Sequence, residues 1–145
     1  MKIKFATPLF LIASFTLFGC KEKTIEEKTE ENIKTYATAY FNWDFPLAKN
    51  YALNQNKKWL TFLASQVTDK DISALREKEK AAEVEIDNIE YKSDDNSALI
   101  TIIVTNFLHI DSIGKTPQCC EEAKYTIKGE KEKDVWKFER PKACD

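Results

Sequence analysis

The chain has 145 residues, 43% of them apolar, enough for one domain of ordinary size, and its 22 basic against 24 acidic side chains leave no excess positive charge for a nucleic-acid partner. Three glycines and a single histidine, His109, exclude G-x-G-x-x-G and G-x-x-x-x-G-K-[ST] phosphate cradles, H-E-x-x-H, and any zinc site built on two imidazoles. No C-x-x-C occurs among the four cysteines, so neither a metal nor another cofactor is expected.

Met1-Lys2-Ile3-Lys4 supplies two positive charges, and residues 5–19 follow without a charged side chain. That stretch is shorter than the ~20 apolar residues a helix needs to cross a bilayer core, and Pro8 interrupts it, so it reads as a secretory signal. Its end, Leu17-Phe18-Gly19-Cys20, resembles the lipobox of bacterial lipoproteins, with a branched apolar residue three positions before a cysteine and a small one directly before it. The resemblance implies a signal peptide over 1–19, cleavage between Gly19 and Cys20, and diacylglycerol on the Cys20 sulfur, with acylation of the new amine. It further implies a membrane partner through that lipid and a place in the bacterial cell envelope, expected at the outer membrane, its periplasmic or surface face left open. Two or three acyl chains anchor a domain stably at ~0.8 kcal/mol per buried CH₂. Cleavage removes two lysines and no acid, so the net charge moves from −2 to −4.

Eight of the eleven residues in 21–31 are charged, and residues 20–31 are therefore expected to form a lipidated, solvated tether ahead of a single domain over 32–145. From Ile33 the apolar residues fall at helical spacing through Tyr36, Ala37, Tyr40 and Phe41. Asn42-Trp43-Asp44-Phe45-Pro46 breaks this helix, and Asp44 as N-cap with Pro46 in the first turn opens a second through Leu47, Ala48, Tyr51 and Ala52. A third helix carries Trp59, Leu60, Phe62 and Leu63. Thr68 with Asp71 is a capping pair for a fourth, through Ile72, Ala74 and Leu75.

After Ala82 the period drops to two. Residues 84–91 and 97–110 predict a hairpin around the turn residues 93–96, with Ile100, Ile102 and Val104 on one face and Leu99, Ile103 and Phe107 on the other. Asp94-Asp95-Asn96 has calcium-ligand residue types, yet no glycine or distant glutamate completes a loop, and a turn accounts for it. Ala123, Tyr125 and Ile127, then Trp136 and Phe138, alternate with polar residues and predict two more strands, each with one solvated face. The expected fold class is α+β, N-terminal helices packed on a four-stranded antiparallel sheet.

The helix Tyr36-Ala37-Thr38-Ala39-Tyr40, the Trp43-Asp44 break, the strand at 97–104 and the closing Val135-Trp136-Lys137-Phe138 resemble the nuclear transport factor 2-like, or cystatin-like, roll, over about residues 32 to 141. The resemblance is closer still to small bacterial lipoproteins that carry such a domain. It implies a cleft between helices and concave sheet, where enzymes of this class, isomerases and dehydratases, place Asp, Tyr or His. Here Tyr40, Asp44 and His109 match by residue type, and Trp43 and Trp59 are aromatic candidates for the same cleft. Asp44 is equally explained as a helix cap, and a Cys-His nucleophile at His109 needs a reduced thiol. These readings favour a non-enzymatic domain binding a small apolar ligand or an envelope protein. The alternatives are a lyase or isomerase with an acid/base pocket, or an immunity-type lipoprotein.

In an exported chain Cys119, Cys120 and Cys144 meet oxidising conditions. If residues 129–134 form the last hairpin with Ile127 opposite Trp136 and Tyr125 opposite Phe138, the same register sets Cys119 opposite Cys144 and predicts a disulfide. Cys120 with Cys144, and a vicinal Cys119-Cys120 bridge, remain alternatives.

Overall fold

The computed structural model describes residues 22–110, 112 and 114–145. The signal peptide 1–19, the Gly19/Cys20 cleavage and the lipid on Cys20 lie outside the described residues. Four helices precede the sheet: α1 Ile25–Phe41, α2 Phe45–Tyr51, α3 Asn54–Gln66 and α4 Asp69–Glu77. Strands β1 Glu83–Tyr91, β2 Ser97–His109, β3 Gln118–Glu132 and β4 Val135–Phe138 form an antiparallel meander, and a short β5 Lys142–Ala143 pairs with β3. The class is α+β, as expected, with an open sheet.

α1 begins eight residues before the expected Ile33. Thr24 closes a capping box with Glu27, its hydroxyl accepting the Glu27 N–H at 3.2 Å while the Glu27 carboxylate accepts the Thr24 N–H at 3.0 Å. Glu26 and Glu27 in the first turn complement the helix dipole. Most of the expected tether is therefore helix, because mixed charge does not oppose helix formation once a cap starts it. The buried stripe Thr29, Ile33, Tyr36, Ala37 and Phe41 faces the sheet, and Thr29 satisfies its buried hydroxyl by donating to Ile25 O at 2.8 Å.

α1 stops in a Schellman arrangement. Asp44 N–H bonds Ala39 O at 2.8 Å and Trp43 N–H bonds Tyr40 O at 3.1 Å, which places Trp43 at φ +62°. Asp44 then caps α2, accepting from Leu47 N–H at 3.1 Å, with Pro46 in the first turn as the sequence predicts. The Asn42 side chain ties this corner to β1, its Oδ1 accepting the Ala82 N–H at 2.8 Å and its Nδ2 donating to Ala82 O at 3.0 Å.

The expected 93–96 turn forms, with Asp95 at φ +53° and the Asp94 carboxylate accepting from Asn96 N–H and Ser97 Oγ. In β2 the inward face runs Ala98, Ile100, Ile102, Val104, but Phe107 is also buried, not on the outer face with Leu99 and Ile103. Asn106, at φ +55°, shifts the alternation by one residue and turns Phe107 toward Phe41 and Tyr125.

The last hairpin departs from the expected register. Lys133 and Asp134 both have left-handed φ, +50° and +64°, making a two-residue turn of type I′ character that pairs Glu132 with Val135, Lys131 with Trp136 and Gly129 with Phe138. Trp136 thus lies opposite Lys131, not Ile127. Pro141, which has no N–H to donate, interrupts the edge between β4 and β5, and pairing resumes at Tyr125–Ala143, with Cys144 N–H on Lys124 O at 3.0 Å. Cys119 lies opposite Leu108, five residues along β3 from Lys124, or ~17 Å at ~3.4 Å per residue. That exceeds the ~7 Å between Cα atoms that a disulfide spans. The register that favoured a Cys119–Cys144 bridge is not the one that forms, and Cys119, Cys120 and Cys144 are all free thiols in the structure.

The core lies between the helices and one sheet face, centred on Ile33, Tyr36, Ile100, Ile102, Ile127 and Phe138. Tyr36 stacks on Phe138 at 5.3 Å and donates its hydroxyl to Glu139 O at 2.9 Å. Among the described residues no helix is long and apolar enough to cross a membrane.

Candidate functional site

A cavity of about 780 Å³ opens where the C-terminal end of α1 meets α3, α4 and the β2–β3 loop. Its wall is apolar and largely aromatic, comprising Trp43, Phe45, Trp59, Leu63, Val67 and Ile110. Gln66, Asp69, Lys70 and Lys115, all exposed, form a polar rim. The volume lies in the usual range for small-molecule sites, ~300–1,000 Å³.

The α1–α2 corner creates the aromatic wall. Trp43 and Phe45 flank the Asp44 cap and stack at 6.3 Å with an interplanar angle of 22°. Trp59 comes from the middle of α3, and the Arg140 guanidinium lies over its ring, 5.2 Å from the centroid. Its indole N–H is buried without a hydrogen-bond partner among the described residues. Tyr40 sits behind the wall, edge-on to Phe41 and Phe45. Burial raises the Tyr40 pKa, and the Arg140 guanidinium opposes the rise.

Of the five expected cleft residues, only Trp43 and Trp59 line this cavity. Tyr40 packs beneath it, Asp44 is exposed and engaged as the α2 cap, and His109 is exposed at the end of β2 opposite Gln118. The acid/base set Tyr40, Asp44 and His109 is therefore not assembled, because a helix cap and a strand end aim two of its members elsewhere. Of the ionisable groups on the cavity wall, Asp71 is committed to the α4 capping box, its carboxylate accepting both the N–H and the hydroxyl of Thr68 at 2.8 Å. Among the described residues no group of three or more His, Cys, Asp or Glu is arranged to hold a metal.

Phe45, Leu63, Val67, Ala74 and Ile110 are cavity residues that the sequence does not mark as a site. For those on and between α3 and α4 the signal is a surplus of apolar residues there: Ile72 and Phe62 stay 38% and 42% exposed, more apolar surface than the sheet can cover.

No protein-family model matches the chain, and no curated protein matches it in sequence. Among solved structures, the solution structure of a SEC-C motif containing protein from Rhodopseudomonas palustris is similar, with 14% identity and a TM-score of 0.49 over 80% of this chain and 78% of that one.

Proposed function

We propose that the chain is a lipid-anchored binding domain of a bacterial envelope, non-enzymatic, which holds a small, flat apolar ligand between Trp43, Phe45 and Trp59. The signal-like N-terminus ending in Leu17-Phe18-Gly19-Cys20 supports the anchor. Helices covering one face of an antiparallel meander support the resemblance to a nuclear transport factor 2-like or cystatin-like roll.

One observation carries the binding reading: the residue in the left-handed position of the α1 Schellman turn is Trp43, half-buried and on the cavity wall. Glycine is the default there, and a side chain in this conformation costs ~1–2 kcal/mol. A large aromatic residue kept at such a cost, beside a cavity, marks a ligand surface more than a folding need.

The test follows from the same strain. Trp43→Gly relieves the backbone while deleting the ring, so its unfolding free energy is expected to stay within ~1 kcal/mol of the parent. Tryptophan emission titrated with 2-naphthol is expected to show saturable one-to-one binding to the parent chain and about tenfold weaker binding to Trp43→Gly, ~1.4 kcal/mol. Equal affinity in the two proteins, or no saturable binding to either, refutes the proposal.

A further inference from the structure

We propose that the sheet face turned away from the helices is a self-complementary interface, which pairs two copies of this chain about a twofold axis parallel to β2. The proposal goes beyond the binding reading above and needs neither its anchor nor its ligand.

The strand register sets this face out in rows, with one residue each from β1, β2 and β3. Val84, Ile86, Ile100, Ile102, Tyr125 and Ile127 point to the core, so the residues between them point away from it. Two rows place an acid, an aliphatic side chain and a lysine side by side: Glu85–Ile103–Lys124 and Glu90–Leu99–Lys128. Between them lies the uncharged row Asn88–Thr101–Thr126. Past Leu99 the signs exchange, because Lys92 bonds Ser97 O through its N–H at 2.9 Å and Ser97 stands opposite Glu130. The row at the other end, Glu83–Thr105–Glu122, is acidic on both sides. β2 carries no charge on this face, and its Leu99 is 38% exposed.

One chain uses few of these charges. Lys124 reaches across β2 to Asp87 at the β1 bulge, 3.0 Å away, and Glu90 accepts from Asn88 Nδ2 at 3.1 Å. Among the described residues Lys124–Asp87 is the only ion pair on this face.

A second copy answers the rest. An axis along β2 lays β1 of one copy over β3 of the other and sets each β2 over its mate. Glu85 of each copy then faces Lys124 of the other, Glu90 faces Lys128, and Lys92 faces Glu130. Ile103 meets Ile103 and Leu99 meets Leu99 along the centre. Glu83 against Glu122, at one end, is the repulsive row. Stacked sheets pack about 10 Å apart, a gap that facing glutamate and lysine side chains bridge. An axis across the strands instead sets Glu85 on Glu90 and Lys124 on Lys128, and like charges oppose it. The charge pattern therefore selects one arrangement, and a twofold pair closes on itself.

Five rows on three strands cover roughly 30 Å by 15 Å, at ~3.4 Å per residue and ~4.8 Å between strands, or about 900 Å² over the two copies. That is below the ~1,200 Å² of a stable interface, so the pair is weak and salt-sensitive. None of its residues lines the cavity, so pairing leaves both binding sites clear.

Sedimentation velocity on the full chain, in non-ionic detergent with micelles in excess, tests the pairing. The expected result is a monomer–dimer equilibrium with a dissociation constant of tens of micromolar at ~50 mM salt, at least about tenfold weaker at ~0.5 M. Lys124→Glu with Lys128→Glu sets acid against acid and is expected to be monomeric; Glu85→Lys with Glu90→Lys, which sets lysine against lysine, is expected to be so too. Mixed in equal amounts at low salt, these two double variants are expected to pair with each other about as tightly as the parent pairs with itself. A parent that stays monomeric up to ~0.5 mM, or whose pairing ignores salt, overturns the proposal. So does a double variant that still self-associates, or a mixture that does not pair. Should a double variant fail to fold by circular dichroism, Leu99→Asp decides at an exposed position on the centre line. It is expected to weaken pairing at least about tenfold, and an unchanged constant overturns the proposal.

Discussion

Replacing Asn42 by alanine removes the side chain that substitutes for a strand partner at Ala82. Ala82 is 3% exposed, and both its N–H and its C=O are satisfied by the Asn42 amide, which also donates to Thr38 O at 2.9 Å. Two buried backbone groups lose their partners together, and at ~1–1.5 kcal/mol for each bond plus part of the desolvation of each orphaned group the loss is about 2–4 kcal/mol. With a urea m-value of ~2 kcal/mol per M the unfolding midpoint falls by about 1–2 M at unchanged m. Asn42→Asp separates this cause from packing. It retains an acceptor for the Ala82 N–H but sets a second carboxylate oxygen against Ala82 O and Thr38 O at the negative end of α1, so at neutral pH it is at least as destabilising as alanine. It recovers in part below pH ~4, where the protonated acid donates again. A midpoint change under ~0.3 M for Asn42→Ala, or an aspartate variant as stable as the parent at pH 7, refutes the argument.

Gly129 sits where an added Cβ would meet Trp136 Cε3 at 3.2 Å and Ile100 Cδ1 and Phe138 Cδ1 at 3.3 Å, so Gly129→Ala is expected to cost about 1–3 kcal/mol in denaturant unfolding, and a stabilising result would contradict the packing described. Burial, with Tyr40 and Glu139 nearby, pushes the Tyr36 hydroxyl well above its ordinary range. The folded state keeps a proton that the unfolded chain releases near pH 10, so the stabilisation is complete below that pH and declines as pH rises above it, by up to ~1.4 kcal/mol per unit. Urea midpoints between pH 8 and 11.5 should show this slope, and Tyr36→Phe should lessen it by one group's share, the rest coming from other tyrosines whose pKa burial raises, Tyr40 among them. Non-reducing peptide mapping of the folded chain is expected to find no Cys119–Cys144 bridge; finding one would mean that β3 and the C-terminal segment pair differently. Thr68→Ala, which opens the α4 capping box beside the cavity, is expected to cost ~1 kcal/mol and to raise hydrogen exchange in Asp69–Glu77, and unchanged exchange would remove the cap from the account.

The helical half was legible because its signals are local. Asp44 with Pro46, and Thr68 with Asp71, are caps whose hydrogen bonds span three residues, and the 3.6 period of Ile33, Tyr36, Ala37 and Phe41 named the buried side of α1. The same locality explains the miss at the N-terminus, where charge density over residues 21–31 outweighed the Thr24–Glu27 box. Register was legible only where a turn announced itself. Asp94-Asp95-Asn96 did so, whereas Lys133-Asp134 adopts left-handed φ at both residues without the glycine or asparagine that usually marks such a turn. A four-residue error there propagated to the cysteines.

By itself the sequence determined an α+β domain, the order of its main helices and strands, most of its core, the 93–96 turn and the caps at Asp44 and Thr68, because periodicity and capping act over a few positions along the chain. It also supplied Trp43 and Trp59 as aromatic candidates, though without a reason to join them. Tertiary structure alone decided that these two face one cavity with Phe45 and Leu63 while Tyr40, Asp44 and His109 do not, that Phe107 turns inward at Asn106, and that Cys144 lies beside Lys124. Each of those facts depends on how a left-handed residue or a hairpin register redirects side chains that are distant in sequence, and a one-residue change in either turns a side chain to the opposite face.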